Sequence, residues 1–290
     1  MGKKGKKAQA GKPKKLTPKD VGKRLDVLAK KLEEELEGAD LFAPLPPTDD
    51  CAICFVPLPR ISANIARFYQ ACCGNDICKA CYVENEESIN KQNEEKSAGK
   101  KIAFTCPFCR EPNPTAGPEY LRQLQSRCLR NDCDAFTLMG ELYQTGDYQI
   151  AKDELKALDC YIRAVELGSP GACVTIGTSY REGEGVSVDK ERAALFYRVG
   201  ALRGSIVARN NIGVSEYIFF GNHEIGIRHW KIAAEFGYQK SLDALKKIDN
   251  GKMPGKEFIS KEEMDTVYRS GHEAQMEVKS EEREKHAGLD

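Results

Sequence analysis

Residues 51–81 read CAICFVPLPRISANIARFYQACCGNDICKAC, and residues 106–109 close the same pattern with CPFC. Eight of the 12 cysteines lie between Cys51 and Cys109, a window without histidine. Cys51 and Cys54, Cys78 and Cys81, and Cys106 and Cys109 are each separated by two residues, while Cys72 and Cys73 are adjacent. A two-residue gap lets one turn present two thiolates to a tetrahedral Zn²⁺ at about 2.3 Å. Three such pairs and a double cysteine supply eight ligands, enough for two closed sites and two Zn²⁺. No secretory signal is expected at the start of the chain, so the thiols read as metal ligands and not as a disulfide framework. Adjacent cysteines on one ion constrain the backbone, which Gly74 can relieve, and Asp76 is the alternative if Cys72 or Cys73 does not serve.

On the N-terminal side of this window the charge is uneven. Lys+Arg and Asp+Glu are both 44, but residues 1–24 carry ten basic groups and one acidic, Asp20. Residues 1–19 therefore read as a disordered basic tail, either solubilising or meeting acidic surfaces. Residues 20–37 form a short amphipathic helix, because Val21, Leu25, Leu28, Leu32 and Leu36 recur at helical spacing. That stripe packs on a neighbouring domain or self-associates. Residues 38–50 are a linker, since Pro44, Pro46 and Pro47 cannot continue a helix. No apolar run reaches the roughly 18 residues that span a bilayer, and with Lys6 where a myristoylation signal needs Ser or Thr, no lipid anchor is expected. A cytoplasmic or nuclear location and no membrane partner are expected.

On the C-terminal side an internal repeat appears over residues 119–250. Gly140, Gly177 and Gly213 are 37 and 36 residues apart; Tyr161, Tyr197 and Trp230 are 36 and 33 apart. Each of those aromatics is followed seven residues later by a glycine, at Gly168, Gly204 and Gly237. This period predicts about three helix pairs of an all-α solenoid, each burying its apolar face against the next. Residues 251–290 read as a charged C-terminal helix and tail. A Ser260-x-x-Glu263 capping box opens it, Met264, Val267 and Tyr268 cap the solenoid, and a solvated tail follows about Ser280. Cys160 and Cys173 fall on helices as small hydrophobes, and Cys128 and Cys133 lack a second pair for a third zinc site. The four histidines form no ligand or nucleophile–base set.

The cysteine window, residues 51–114, resembles the RING-type zinc finger in its all-cysteine variant. The resemblance implies a small α+β cross-brace: Cys51, Cys54, Cys78 and Cys81 on one Zn²⁺, and Cys72, Cys73, Cys106 and Cys109 on the other. The usual histidine position is Asn75 here. It further implies that Ile53 and Pro107 belong to an apolar groove for a ubiquitin-conjugating enzyme charged with ubiquitin, and that Arg110 is the "linchpin" cation of ubiquitin transfer. No covalent enzyme intermediate follows from that mechanism. The repeats resemble Sel-1-like repeats, relatives of the tetratricopeptide repeat; repeat two carries Ala172, Ile176, Tyr180, Gly183, Gly185 and Asp189. That resemblance implies a protein-binding surface for an unknown protein substrate.

The expected molecule is thus a two-zinc RING module followed by a helical-repeat solenoid, acting as a ubiquitin-ligase adaptor. The alternative is a non-catalytic zinc-finger and repeat scaffold for protein–protein interaction. Nucleic-acid binding is not expected beyond the basic tail, where it would be salt-sensitive. The segment from Tyr82 to Lys101 is expected as an exposed helix and loop without chemistry.

Overall fold

Thr17 caps the first helix with its hydroxyl, and Pro18, whose missing N–H costs nothing at a helix start, occupies the first turn. Helix α1 therefore runs over Pro18–Leu36 and begins inside the segment expected to be disordered. The computed structural model describes residues 16–55, 57–58, 67–95, 102–114 and 117–287. Most of the basic tail, residues 1–15, and residues 96–101 of the charged segment lie outside the described residues.

The cysteine window carries an antiparallel hairpin, β1 (Arg67–Gln70) and β2 (Asn75–Cys78), paired Arg67 with Cys78 and Gln70 with Asn75. Helix α2 (Lys79–Glu95) follows directly. Successive side chains on a strand face opposite ways. Phe68 accordingly joins Cys51, Leu58, Ile77 and Cys81 in a small core and stacks on Tyr82 at 4.4 Å. Its neighbour Tyr69 faces the other way and packs, with Ala71 of the hairpin turn, on Leu124, Ala135 and Met139 of the helical region. The helix expected after Cys81 is present, and its side chains are mostly exposed or half-buried over residues 82–95, but Ile89 is buried and α2 contacts the C-terminal helix. Asn93 pairs with Ile102 and Asn85 donates to the Thr105 carbonyl, which holds the returning chain against α2.

The helical array comprises α3 (Gly117–Cys128), α4 (Cys133–Thr145), α5 (Glu154–Glu166), α6 (Pro170–Glu182), α7 (Lys190–Leu202) and α8 (Ile206–Val214). It continues with α9 (His223–Glu235), α10 (Gln239–Asp249) and α11 (Lys261–Ala287). The repeat arithmetic has a steric cause. A Cβ on Gly140 would lie 2.5 Å from the Tyr161 ring, on Gly177 2.6 Å from Tyr197, and on Gly213 2.5 Å from Trp230. Within each pair the first helix gives up its side chain so that the aromatic of the second can lie against its backbone. Gly168, Gly204 and Gly237 then leave the second helices with positive φ. Repeat three differs by a π-helical turn, Ser215–Phe219, in place of the longer loop of repeat two.

Helix α1 lies on α5 and α7 of the same chain and buries Val21, Leu25, Leu28 and Leu32 in the main core. Arg24 pairs with Asp159, Arg192 with Asp26 at 2.7 Å, and Arg203 with Glu35 at 2.7 Å. The open choice between a neighbouring domain and self-association is thus decided within the chain. At the other end, Ser260 and Glu263 exchange the expected capping-box bonds, 2.9 and 3.2 Å. Met264 and Val267 are buried against α9 and α10. The helix does not stop near Ser280 but continues to Ala287, in a stretch rich in Glu, Lys and Arg with no Pro or Gly to break it.

Candidate metal centre

Two turns of the same design hold the first and last cysteine pairs. Phe55 N–H donates to the Cys51 carbonyl at 3.0 Å, and Arg110 N–H to the Cys106 carbonyl at 2.9 Å. Phe55 and Arg110 both adopt positive φ, 58° and 66°. Each turn is bracketed by an antiparallel bridge, Asp50 with Pro57 and Thr105 with Pro112. Left-handed backbone at a non-glycine residue costs on the order of 1 kcal/mol or more, and here it aims two sulfurs at one point. The remaining four cysteines come from the hairpin and the helix after it: Cys72 and Cys73 from the hairpin turn, Cys78 from the end of β2, and Cys81 from the first turn of α2.

The four segments interleave. Cys51 and Cys54 meet Cys78 and Cys81, while Cys72 and Cys73 meet Cys106 and Cys109, each set with all sulfurs within 4.8 Å of one another. Sulfur–sulfur separations are 3.8 Å for Cys54–Cys78, 3.9 Å for Cys73–Cys106 and 3.4 Å for Cys72–Cys109. A tetrahedron with Zn–S near 2.3 Å has edges of about 3.8 Å, whereas a disulfide would bring sulfurs to about 2.05 Å. All eight cysteines are free thiols. The donor set is wholly soft sulfur, which suits Zn²⁺ and not Mg²⁺ or Ca²⁺.

Electrostatics point the same way. Burial and the neighbouring thiols push Cys72 and Cys81 far above the ordinary thiol range, and burial raises Cys78 and Cys106. Burial also opposes ionisation of Cys51, yet N–H groups of Cys54, Cys78 and Ile53 bring it down to about 7; Cys78 N–H approaches its sulfur at 3.3 Å. Backbone N–H and thiol hydrogen bonds likewise lower Cys109 against the effect of burial, so each set places a thiol that ionises readily beside thiols that resist it, an arrangement a bound cation would relieve. Asp76 belongs to neither set, which leaves Cys72 and Cys73 to complete the second.

Gly74 follows the double cysteine with φ +78°, and a Cβ there would strike the Arg127 guanidinium, 1.9 Å from its nearer nitrogen. Arg127 in turn donates to Asp132 at 2.6 and 2.9 Å, and Tyr69 Oη donates to the same Oδ2 at 2.8 Å. Asp132 Oδ1 accepts from Asp134 N–H and Ala135 N–H at the start of α4. One carboxylate therefore ties the hairpin, α3 and α4 together. This anchor was missed in the sequence, because Tyr69, Arg127 and Asp132 converge only in three dimensions.

Ile53 and Pro107 sit between the cysteines of the two knuckles, both half-buried, and Ile53 packs on the small core. Arg110 is exposed, and among the described residues its side chain has no hydrogen bond or ion pair. Beside these expected residues stand Phe55, 76% exposed, and Phe108, 50% exposed. Aligning the two knuckles, CAICF with CPFCR, would have singled out Phe55 as the counterpart of Arg110. Cys128 and Cys133 end α3 and begin α4, Cys160 is half-buried and Cys173 is buried; none joins a metal-type cluster among the described residues.

Residues 137–169 and 171–205 match the Sel1 repeat. No curated protein matches the chain. Among solved structures, a Sel1 repeat protein from Oxalobacter formigenes is 26% identical over 56% of this chain and 64% of its own, with TM-score 0.45. The protein c5321, a protective antigen present in uropathogenic Escherichia coli strains and displaying an SLR fold, is 24% identical over 55% of this chain and 33% of its own, with TM-score 0.43. Immunity protein Pa5087 from Pseudomonas aeruginosa is 13% identical over 66% of this chain and 83% of its own, with TM-score 0.34. The chain spans less than two-thirds of the length of the first two structures. Residues 137–205 carry two Sel1 repeats within the helical array, and two four-cysteine groups lie beside it, each able to take a metal ion. No helix among the described residues is long and apolar enough to cross a membrane.

Proposed function

We propose that the cysteine module is a two-zinc RING-type finger that promotes ubiquitin transfer, and that the repeats hold the protein to be modified. The reading rests above all on the interleaving, in which four segments separated in sequence share two sets of thiols. Zn²⁺ bound there would supply cross-links and charge compensation, with no part in the reaction. The chain's own residues would do the rest. Ile53 and Pro107, flanked by exposed Phe55 and Phe108, offer apolar contact to a ubiquitin-conjugating enzyme. Arg110, projecting from a knuckle held by its own backbone hydrogen bond, offers a planar fork of donors that can engage ubiquitin and its carrier at once. Holding the thioester where a lysine amine can attack is a proximity effect and requires no nucleophile from this chain. A reducing compartment, cytoplasm or nucleus, agrees with eight free thiols held as ligands.

The test is discharge of ubiquitin from charged conjugating enzymes by the purified full-length protein. Hydrogen bonds to a charged group are worth about 1.5–3 kcal/mol, so Arg110→Ala should slow discharge roughly 10- to 150-fold with metal content unchanged. A protein that carries two Zn²⁺ yet discharges none of a panel of charged enzymes would instead be a zinc-finger and repeat scaffold.

A further inference from the structure

Repeat three departs from its siblings at two buried positions. Aligned on the small residues Gly177 and Gly213, Cys173 of repeat two corresponds to Arg209 of repeat three; aligned on Tyr197 and Trp230, Phe196 corresponds to His229. Cys173 and Phe196 are fully buried apolar side chains. Arg209 and His229 are just as hidden, at 2% and 1% exposure. Burying a guanidinium and an imidazole in a helical core costs several kcal/mol unless partners meet them, and stability alone does not account for the exchange.

What covers them is the chain's own linker. Arg209 Nη1 donates to the Leu41 carbonyl. The Phe42 ring stacks on His229 at 4.7 Å, and the Arg228 guanidinium lies 3.7 Å from its centroid on a cation–π contact. Asp40 shapes the segment by accepting the Phe42 N–H at 2.8 Å. The match is incomplete: Arg209 Nε and His229 Nδ1 are buried without a hydrogen-bond partner among the described residues. A single carbonyl meets one edge of a fork that suits a carboxylate.

The geometry points to a peptide-recognition site on repeat three, formed by Arg209, Arg228 and His229, that takes an aromatic side chain next to a carboxylate. Residues 40–42, Asp-Leu-Phe, fill it in cis, and a partner protein presenting an acidic–aromatic segment takes it in trans. The aromatic ring sits between imidazole and guanidinium as Phe42 does, and a carboxylate in place of the Leu41 carbonyl satisfies the unused edge of Arg209. Tethering gives the linker an effective concentration on the order of millimolar, so a trans ligand displaces it only when its concentration, relative to its own dissociation constant, exceeds that effective concentration relative to the linker's. The inference deepens the reading of the repeats as a protein-binding array and is independent of metal and ubiquitin.

The test uses full-length protein and a fluorescein-labelled peptide GADEFAPL, the linker sequence with glutamate at the Leu41 position, followed by anisotropy. Phe42→Ala, which vacates the aromatic seat, should bind the peptide at least tenfold more tightly than the wild type. Replacing the peptide's phenylalanine by alanine should remove binding. Arg209→Met in the Phe42→Ala background should weaken it at least tenfold, with Trp230 fluorescence verifying that repeat three remains folded. A folded Phe42→Ala protein that ignores the peptide at millimolar concentration, or binds the phenylalanine and alanine peptides alike, overturns the site. Ubiquitin discharge to free lysine does not involve this surface, so normal discharge without peptide binding would sink the pocket and leave the ligase reading intact.

Discussion

The two halves of this molecule solve the same problem with different means. The repeat array builds a continuous apolar core from α5 through α8, closed on one side by the leucine stripe of α1. Among the described residues, the apolar cluster of the cysteine module has five buried members, three of them the cysteines Cys51, Cys78 and Cys81. A small module gains little from buried area alone against its chain entropy, and here the sulfurs that could hold a metal are also part of the core. The difference teaches that one half, on the reading proposed above, would depend on a bound ion, and the other depends on steric fit between glycine and aromatic rings.

Three substitutions test the contrast, from the largest effect to the smallest. Cys51→Ser removes a buried sulfur from a group that, on the proposed reading, holds a metal worth on the order of 10–16 kcal/mol in small zinc domains. The module should lose at least one metal equivalent and become open to proteolysis between residues 51 and 114, while residues 133–249 stay resistant. Two metals retained in the variant, measured by elemental analysis, would break the comparison.

Asp132→Ala strikes the joint between the halves. It deletes a helix cap, worth about 1 kcal/mol, and strands the partly buried Arg127, so a loss of about 3 kcal/mol is expected in urea unfolding. Burial acts against the Asp132 charge, but hydrogen bonds from Tyr69, Arg127 and the Ala135 N–H hold its carboxyl below the usual range. A lowered folded-state pKa means that the protonated form is favoured by the unfolded chain. The stabilisation is therefore full above roughly pH 4, the ordinary aspartate value, and disappears as pH falls through the folded value. The gap between wild type and variant should narrow in that range and stay constant above it.

Gly177→Ala confines its damage to the array. The new methyl would meet the Tyr197 ring at 2.6 Å, and that ring is fully buried with its hydroxyl 3.1 Å from Thr178. Overpacking of this kind costs about 1–3 kcal/mol, partly offset by alanine's better helix propensity. Thermal unfolding should report that loss with metal content unchanged. A shift in metal binding would show that the halves are more strongly coupled than their cores suggest.

Much of this architecture is written locally. Cysteine gaps of two residues specify knuckles, because one turn can aim two sulfurs at one ion. The glycine and aromatic periods specify the repeats, because each aromatic needs a bare backbone opposite it. The Ser260–Glu263 box likewise specifies a helix start by bonds three residues apart. Which cysteine pairs share a site is a different matter: spacing permits several pairings, and the interleaved one came from family resemblance before the hairpin geometry brought the sulfurs together.

What only the tertiary structure decided lies where chain segments meet across long separations. The stripe of α1 is periodic, but the choice of α5 and α7 as its seat is not, and neither the convergence of Tyr69, Arg127 and Asp132 nor the docking of Phe42 on His229 has a periodic signature. Each joins side chains that are individually ordinary at a helix face, a strand or a loop. Their meaning depends on which partner the folded backbone delivers, and short-range patterns in the amino-acid sequence do not encode that distance.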